Sequence, residues 1–308
     1  MKAAVIDLGT NTFNVLIGEI QQGALRFLHS SRVPVRLGKG GLEQGYITYH
    51  AFQRGLLAMQ QHAATIREFG VEKVVAYATS AVRSSLNGND FVKVVFEETG
   101  IEIEVIDGNR EAELIFKGIR QAYTEKNMFL AMDIGGGSTE FIVGNGDEIL
   151  WKQSTDLGVS RLMGLFSPQD PFSLNDIQRL ERHFKNELKG LEQALLHNPC
   201  SVLVGSSGSF ETFAAMIAND EGLDFTEERN CLFEFSPHQF LRQYQWLIQS
   251  NSDERSRNSS IKPVRKDLIV AGSLLTCFVM NLCSPTRLVM SGYALKEGAL
   301  HELLIQTN

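Results

Sequence analysis

Two short segments of this chain carry the residue types that hold phosphate. Asp7-Leu8-Gly9-Thr10-Asn11-Thr12 and Asp133-Ile134-Gly135-Gly136-Gly137-Ser138 each put an acid, a glycine and a hydroxyl or amide side chain after an apolar run. Glycines let a backbone approach a ligand closely, and successive N–H groups left out of a ladder form a concave anion site. Thr10, Thr12, Ser138 and Thr139 add hydroxyl donors. One glycine would serve an ordinary tight hairpin; Gly135-Gly136-Gly137 exceeds that need, so phosphate binding is the reading adopted for both segments. An aspartate beside bound phosphate would repel it unless a cation lies between, and Mg²⁺ bridges with one or two carboxylates, water and substrate oxygens. Asp133 is the expected metal residue. Asp7 either joins a metal or bonds its own loop. Glu140 is either a second carboxylate for the metal or a solvent-facing acid.

Three other places hold candidate chemistry. Gly205-Ser206-Ser207-Gly208-Ser209 follows the apolar Val202–Val204 and opens a helical pattern, and a helix N-terminus attracts anions; good capping residues would explain it as well. Arg83 falls just past the strand-like Val74–Ala78, where α/β clefts form, and is the cation expected to meet phosphate. Arg32, Arg36 and Lys39, and Arg255, Arg257, Lys262, Arg265 and Lys266, read mostly as solvated surface. Glu111, in Asp107-Gly108-Asn109-Arg110-Glu111, could be a general base or an acid matching a helix dipole in the first turn. Residue type and position alone favour the second reading.

The elements that must position these residues alternate short apolar runs with helical patterns, which indicates an α/β fold. Ala3–Ile6, Val15–Ile17, Leu25–Leu28, Val74–Ala78 and Ile101–Ile106 read as strands, the third reached through a turn at Gln22-Gly23. Phe52, Leu56, Met59, Ala63 and Ile66 mark a helix stopped at Gly70. A longer helix runs through Ile177, Leu180, Phe184, Leu188, Leu191 and Leu195, with Ser173 as N-cap and Asp176 three residues on. Asp7 with Asp133, and Gly18 with Gly144, are separated by the same 126 residues (133 less 7, 144 less 18). Two loops in register predict a duplicated domain with a cleft between the copies. The polar Thr124–Asn127 marks the boundary, giving domains 1–124 and 125–295.

A chain of 308 residues suits two domains. The net charge of −7 argues against general nucleic-acid binding, while a local basic cleft would still admit a polyanion. Cys200, Cys231, Cys277 and Cys283 form no C-x-x-C pair and are expected reduced. Asp7 interrupts the first apolar run too early for a signal peptide. Leu268–Cys283 falls short of the roughly 20 residues of a membrane span and reads as a buried helix. The expectation is a cytoplasmic protein with no membrane association.

The motifs resemble the exopolyphosphatase/guanosine pentaphosphate phosphatase family. The similarity lies in Asp7–Thr12, Gly108–Ala112, Asp133–Glu140, Gly205–Ser209, Arg265-Lys266-Asp267 and Ser291–Gly298, in order over essentially the whole chain. It implies two ribonuclease-H-like domains of the acetate and sugar kinase/actin superfamily, with an interdomain cleft and a C-terminal helix, about 296–308, packed back on the first domain. It implies Mg²⁺-dependent release of the terminal phosphate from polyphosphate or guanosine pentaphosphate, and leaves a homodimer open. Carried over by residue, Glu111 matches the catalytic base, Arg83 a phosphate-contacting arginine, and Asp133 and Glu140 acids of the site. Asp7, Gly9, Thr10, Asn11, Gly135, Gly136, Gly137, Ser138, Gly205, Ser207, Gly208 and Ser209 match its phosphate cradle. Longer members carry further helical domains, so short polyphosphate or a nucleotide is the expected substrate. Two rivals share the loops: an actin-like or sugar-kinase-like ATPase, and a nucleotide-sensing protein without turnover.

Overall fold

The fold is given by a computed structural model, which describes residues 1–21, 24–226 and 229–305. The turn expected at Gln22-Gly23 and residues 306–308 lie outside them. The chain divides into two compact units, one of Met1–Gln121 with the residues from Ala294 on, the other of Ala122–Tyr293.

The first unit runs β1 (Lys2–Leu8), β2 (Thr12–Gln21), β3 (Ala24–Pro34), α1 (Tyr49–Glu68), β4 (Lys73–Ala78), α2 (Ser80–Arg83), α3 (Gly88–Thr99), β5 (Ile103–Val105) and α4 (Gly108–Ala122). The second runs β6 (Met128–Ile134), β7 (Thr139–Asn145), β8 (Glu148–Thr155), α5 (Val159–Phe166), α6 (Leu174–Glu187), α7 (Lys189–His197), β9 (Val202–Ser206), α8 (Ser207–Asp220), β10 (Leu232–Phe235), α9 (Pro237–Gln249), α10 (Ser252–Arg257), α11 (Ile269–Cys283) and β11 (Arg287–Ser291). The chain then returns to the first unit as α12 (Leu295–Ile305).

The first sheet has the order β3-β2-β1-β4-β5, with β2 antiparallel and β4 parallel to β1. The second has the order β8-β7-β6-β9-β11, plus β10 on the edge. This is one ribonuclease-H-like topology used twice, and the repeat holds in register. Asp7 pairs with Asn14 and Asp133 with Glu140. Both second hairpins shift register at the same place, between Ile17 and Gly18 and between Val143 and Gly144. The shared glycine of the sequence repeat thus marks a shared β-bulge.

Each sheet is buried around its central strand. Ala4, Ile6 and Leu8 of β1 face a core with Met59, Ala63 and Phe91 of α1 and α3, and Ala3 and Val5 on the other face are equally inaccessible. In β6, Leu130, Met132 and Ile134 enter a core built from α5 to α9 and α11. Such two-sided burial explains the nearly continuous apolar runs. Leu268–Cys283 is the buried α11, and among the described residues no helix is long and apolar enough to cross a membrane.

The stop of α1 and the cap of α6 were legible. Thr48 accepts from Ala51 N to start α1, and Gly70 follows it in the left-handed region at φ 61°. Ser173 and Asp176 form the capping box of α6. The single helix expected through Leu195 is instead two, broken at Leu188. Leu188, at φ −98° and ψ 15°, is at once the C-cap of α6 and the N-cap of α7. Strands β8 and β10, which the alternation did not reveal, are half-exposed edges of the second sheet.

His62 of α1 is buried, with Nε2 against the Phe13 carbonyl at 3.3 Å. Burial, with a smaller push from His29, holds its pKa below the ordinary 6.5, the Phe13 bond opposing. The unfolded chain therefore takes this proton first, and stability is lost as pH falls from about 6.5 toward the lowered folded value. A single such group contributes at most about 1.4 kcal/mol per pH unit. Urea unfolding of His62→Gln between pH 7.5 and 5 is expected to show a flatter decline than the parent; an unchanged slope would rule His62 out as its source.

Candidate active site

In the first unit, β1 delivers Asp7 to the mouth of a hairpin closed by Gly9 N donating to Thr12 O at 3.0 Å. Asn14, opposite Asp7 on β2, donates to its Oδ2 at 2.9 Å. Thr10 is buried. A strap from Val35 to Gly38 folds over this loop: Val35 N and Arg36 N donate to Asn11 O and Gly38 N to Thr10 O. Arg54 holds the strap by donating to the Val35 and Arg36 carbonyls. Arg36 adopts the left-handed φ of 49°. The backbone of Arg36 therefore belongs to a structured support of the first loop.

Glu111 and Arg83 meet. The Asp107 side chain caps α4 by accepting from Arg110 N, so Glu111 sits in its first turn and is only 6% exposed. Arg83 ends the short α2 that follows β4. Its Nη1 donates to Glu111 Oε2 at 2.9 Å and to Ile106 O at 2.8 Å. Its Nε and Nη2 reach no acceptor among the described residues, and the side chain is 26% exposed. One edge of the guanidinium thus orients the carboxylate while two donors are left over.

In the second unit, the hairpin is closed by Gly135 N donating to Ser138 O at 3.0 Å, the same bond as in the first. Its carbonyls are consumed from outside. Val159 N donates to Gly135 O, Ser160 N and Arg161 N to Gly136 O, and Arg161 Nε to Gly137 O. The N–H groups of Gly136, Gly137 and Ser138 find no protein acceptor among the described residues. The peptide dipoles therefore point outward with their positive ends, an anion-binding nest. Gly158 makes the contact with α5 feasible, since a Cβ there would lie 2.3 Å from the Gly137 carbonyl carbon.

Asp133, the penultimate residue of β6, is 6% exposed and accepts from Ser206 Oγ and Ser207 Oγ, both at 2.7 Å. Ser207 opens α8 with a φ of 66°, a cost a non-glycine residue bears where its side chain is held. Glu140 is 1% exposed and accepts from Ser154 Oγ at 2.7 Å, so it does not face solvent. Among the described residues no group of three or more His, Cys, Asp or Glu is arranged to hold a metal. Asp133 nevertheless fits an ion that takes most ligands from water and phosphate.

The third glycine loop divides. Gly205 lies inside β9, where a Cβ would strike the Phe210 ring at 2.1 Å, so it is a packing glycine. Ser209 is buried against Gly272. Ser207 and Gly208 remain at the start of α8. Sequence reasoning missed what covers them: Arg265 lies over Gly208, paired with the buried Glu211 and donating to Thr212 Oγ1. Arg255, also expected at the surface, is 2% exposed and pairs with Asp170. The only sequence signal was their placement in one basic run.

A duplicated ribonuclease-H-like fold with an anion nest and a paired acid and arginine defines an enzyme that handles phosphate. The model of the Ppx/GppA phosphatase family matches residues 16–307, and the chain belongs to that family. The crystal structure of an exopolyphosphatase from Cytophaga hutchinsonii is similar at 38% identity, with a TM-score of 0.97 over 99% of this chain and 98% of that one. The Aquifex aeolicus member of the Ppx/GppA family is similar at 25% identity, with a TM-score of 0.84 over 100% and 99%. A Haemophilus influenzae protein provisionally named an exopolyphosphatase is 27% identical over 303 residues, 97% of this chain and 90% of that one.

Gly158→Ala tests the nest's support. The new methyl has only backbone to displace, so destabilisation of about 1–3 kcal/mol is expected, with loss of phosphatase turnover. A variant with parental urea midpoint and activity would show that α5 does not set the loop.

Proposed function

We propose that this phosphatase is Mg²⁺-dependent and releases the terminal phosphate of inorganic polyphosphate, of guanosine pentaphosphate, or of both, with Glu111 as the base. The observation that carries the reading is the Arg83–Glu111 pair, which combines an oriented carboxylate with two unused donors on its partner. Similarity at 38% identity to an exopolyphosphatase supports the polymer as substrate.

In this mechanism Glu111 orients a water and takes its proton as the oxygen attacks phosphorus. The bond to the next bridging oxygen breaks, and inorganic phosphate departs from a chain shortened by one unit. Arg83 donates through Nε and Nη2 to the transferring group. The amides of Gly136, Gly137 and Ser138 donate to phosphate oxygens, where fixed dipoles stabilise developing charge without reorganising. By their loops, Thr10 and Asn11 of the first unit, and Ser207 and Gly208 of the second, are assigned to phosphate binding. Asp133, with Glu140 opposite it on β7, would hold Mg²⁺, which when bound neutralises phosphate charge.

Glu111→Gln keeps the shape and removes the base. Steady-state kinetics on it are expected to show kcat reduced roughly 10²- to 10⁴-fold with an unchanged urea midpoint. Near-normal turnover in a folded variant would sink the assignment.

For the metal and the substrate, phosphate release is measured from polyphosphate, guanosine pentaphosphate and ATP in parallel, after chelation and after Mg²⁺ is returned. Release from either of the first two, abolished by chelation and restored by Mg²⁺, is expected, with Asp133→Asn needing more Mg²⁺. Release from ATP alone would favour the kinase-like ATPase reading. Binding without release would favour a nucleotide sensor.

A further inference from the structure

The first turn of α4 carries Glu111, yet the residue beside it is held from the far end of the chain. Glu302 of α12 accepts from Arg110 Nη2 and, at 3.3 Å, from Nη1, a two-pronged pair, and its second oxygen also takes Lys117. Arg110 and Lys117 sit two turns apart on α4, so one carboxylate grips that helix at two points. The Glu302 side chain is 15% exposed. Burial works against its charge, but the bonds from Arg110 and Lys117 outweigh this and hold its carboxyl below the usual carboxylate range.

The same helices touch through glycine. A Cβ on Gly118 of α4 would lie 1.8 Å from the Ala294 carbonyl oxygen, and one on Gly298 of α12 would lie 1.9 Å from the Leu114 carbonyl oxygen. Backbone therefore packs on backbone along α4, and the Glu302 cluster fixes the end that bears the acid. The Arg110 charge also acts on the hydroxyl of Tyr77 on β4, the strand that leads through Thr79 to Arg83. Glu111 is thus the next residue along α4 from the one that Glu302 holds. Neither Arg110 nor Glu302 has a place in the phosphate chemistry above, so this arrangement lacks a role there.

We propose that Glu302 is a positioning residue which, through Arg110, sets the angle of the α4 first turn and so the aim of the Glu111 carboxylate. The inference rests on Glu111 being the base. Small misplacement of a reacting group costs rate more than binding.

The test is steady-state kinetics of Glu302→Gln, Arg110→Gln and the double variant on the substrate the enzyme turns over, with urea unfolding of each. Glu302→Gln is expected to lower kcat on the order of 10- to 100-fold with KM little changed. Arg110→Gln should match it, and the double variant should fall no further, since one linkage is broken only once. Glu302→Asp keeps the charge and is expected to retain more kcat than Glu302→Gln; it carries the test should the latter fail to fold. A lowered urea midpoint with parental kcat per folded molecule would mean a structural role only and would overturn the proposal. Glu111→Gln run alongside separates the two readings. If it is inactive while Glu302→Gln turns over normally, positioning fails and the base stands. If it is near-normal, the base reading itself fails.

Discussion

Everything in each unit depends on a central strand that is buried on both faces and paired on both edges. Apart from Met128 at the start of β6, every apolar side chain of β1 and β6 is buried. Their backbones are fixed by an antiparallel neighbour on one side and a parallel one on the other. A strand so constrained cannot shift register without turning its apolar residues to the wrong face. Its last two residues are thereby placed with little freedom. In both units the penultimate one is an aspartate, and the chain then leaves the sheet through a turn closed by the same backbone bond.

What the units do with that common geometry differs. In the first, Asp7 is engaged by Asn14 across the hairpin, and the acid paired with Arg83 comes from α4. In the second, the position of Asn14 is taken by Glu140, and Asp133 is satisfied by two serines at the β9–α8 junction. The strain at Ser207 goes with this exchange, because its hydroxyl reaches Asp133 from a left-handed residue. One duplicated scaffold thus supplies an acid with an arginine in one copy and an amide nest beside a carboxylate in the other.

The nest shows how a glycine loop becomes an anion site. Glycines permit the conformation, but a loop's carbonyls are as prominent as its amides and would repel phosphate. Here α5 and Arg161 take up those carbonyls. In the first unit the strap of residues 35–38 does the same for Thr10 and Asn11. The helix N-terminus of α5 is spent on protein carbonyls, which is why anion-binding capacity appears one layer further out.

The repeat, its 126-residue offset, the strands around it, the stop of α1 and the cap of α6 were all legible in the order of residues. They depend on periodicity and local hydrogen bonding, which act over a few neighbours. The same local logic misjudged the region after Ser173, where one expected helix breaks at Leu188, and Gly205, whose glycine serves the Phe210 ring. It treated Arg265 and Arg255 as surface because a basic run says nothing of the buried Glu211 or of Asp170 far along the chain. Glu111 lay between two readings by residue type and was assigned as a base only through family resemblance. Its meeting with Arg83 spans 28 positions, and the anchoring of its helix by Glu302 spans 192. Composition and spacing determined the scaffold and the loop ends of its central strands. Which side chains face one another there was decided by tertiary packing, because an ion pair forms where the fold brings charges within reach, however distant they are in sequence.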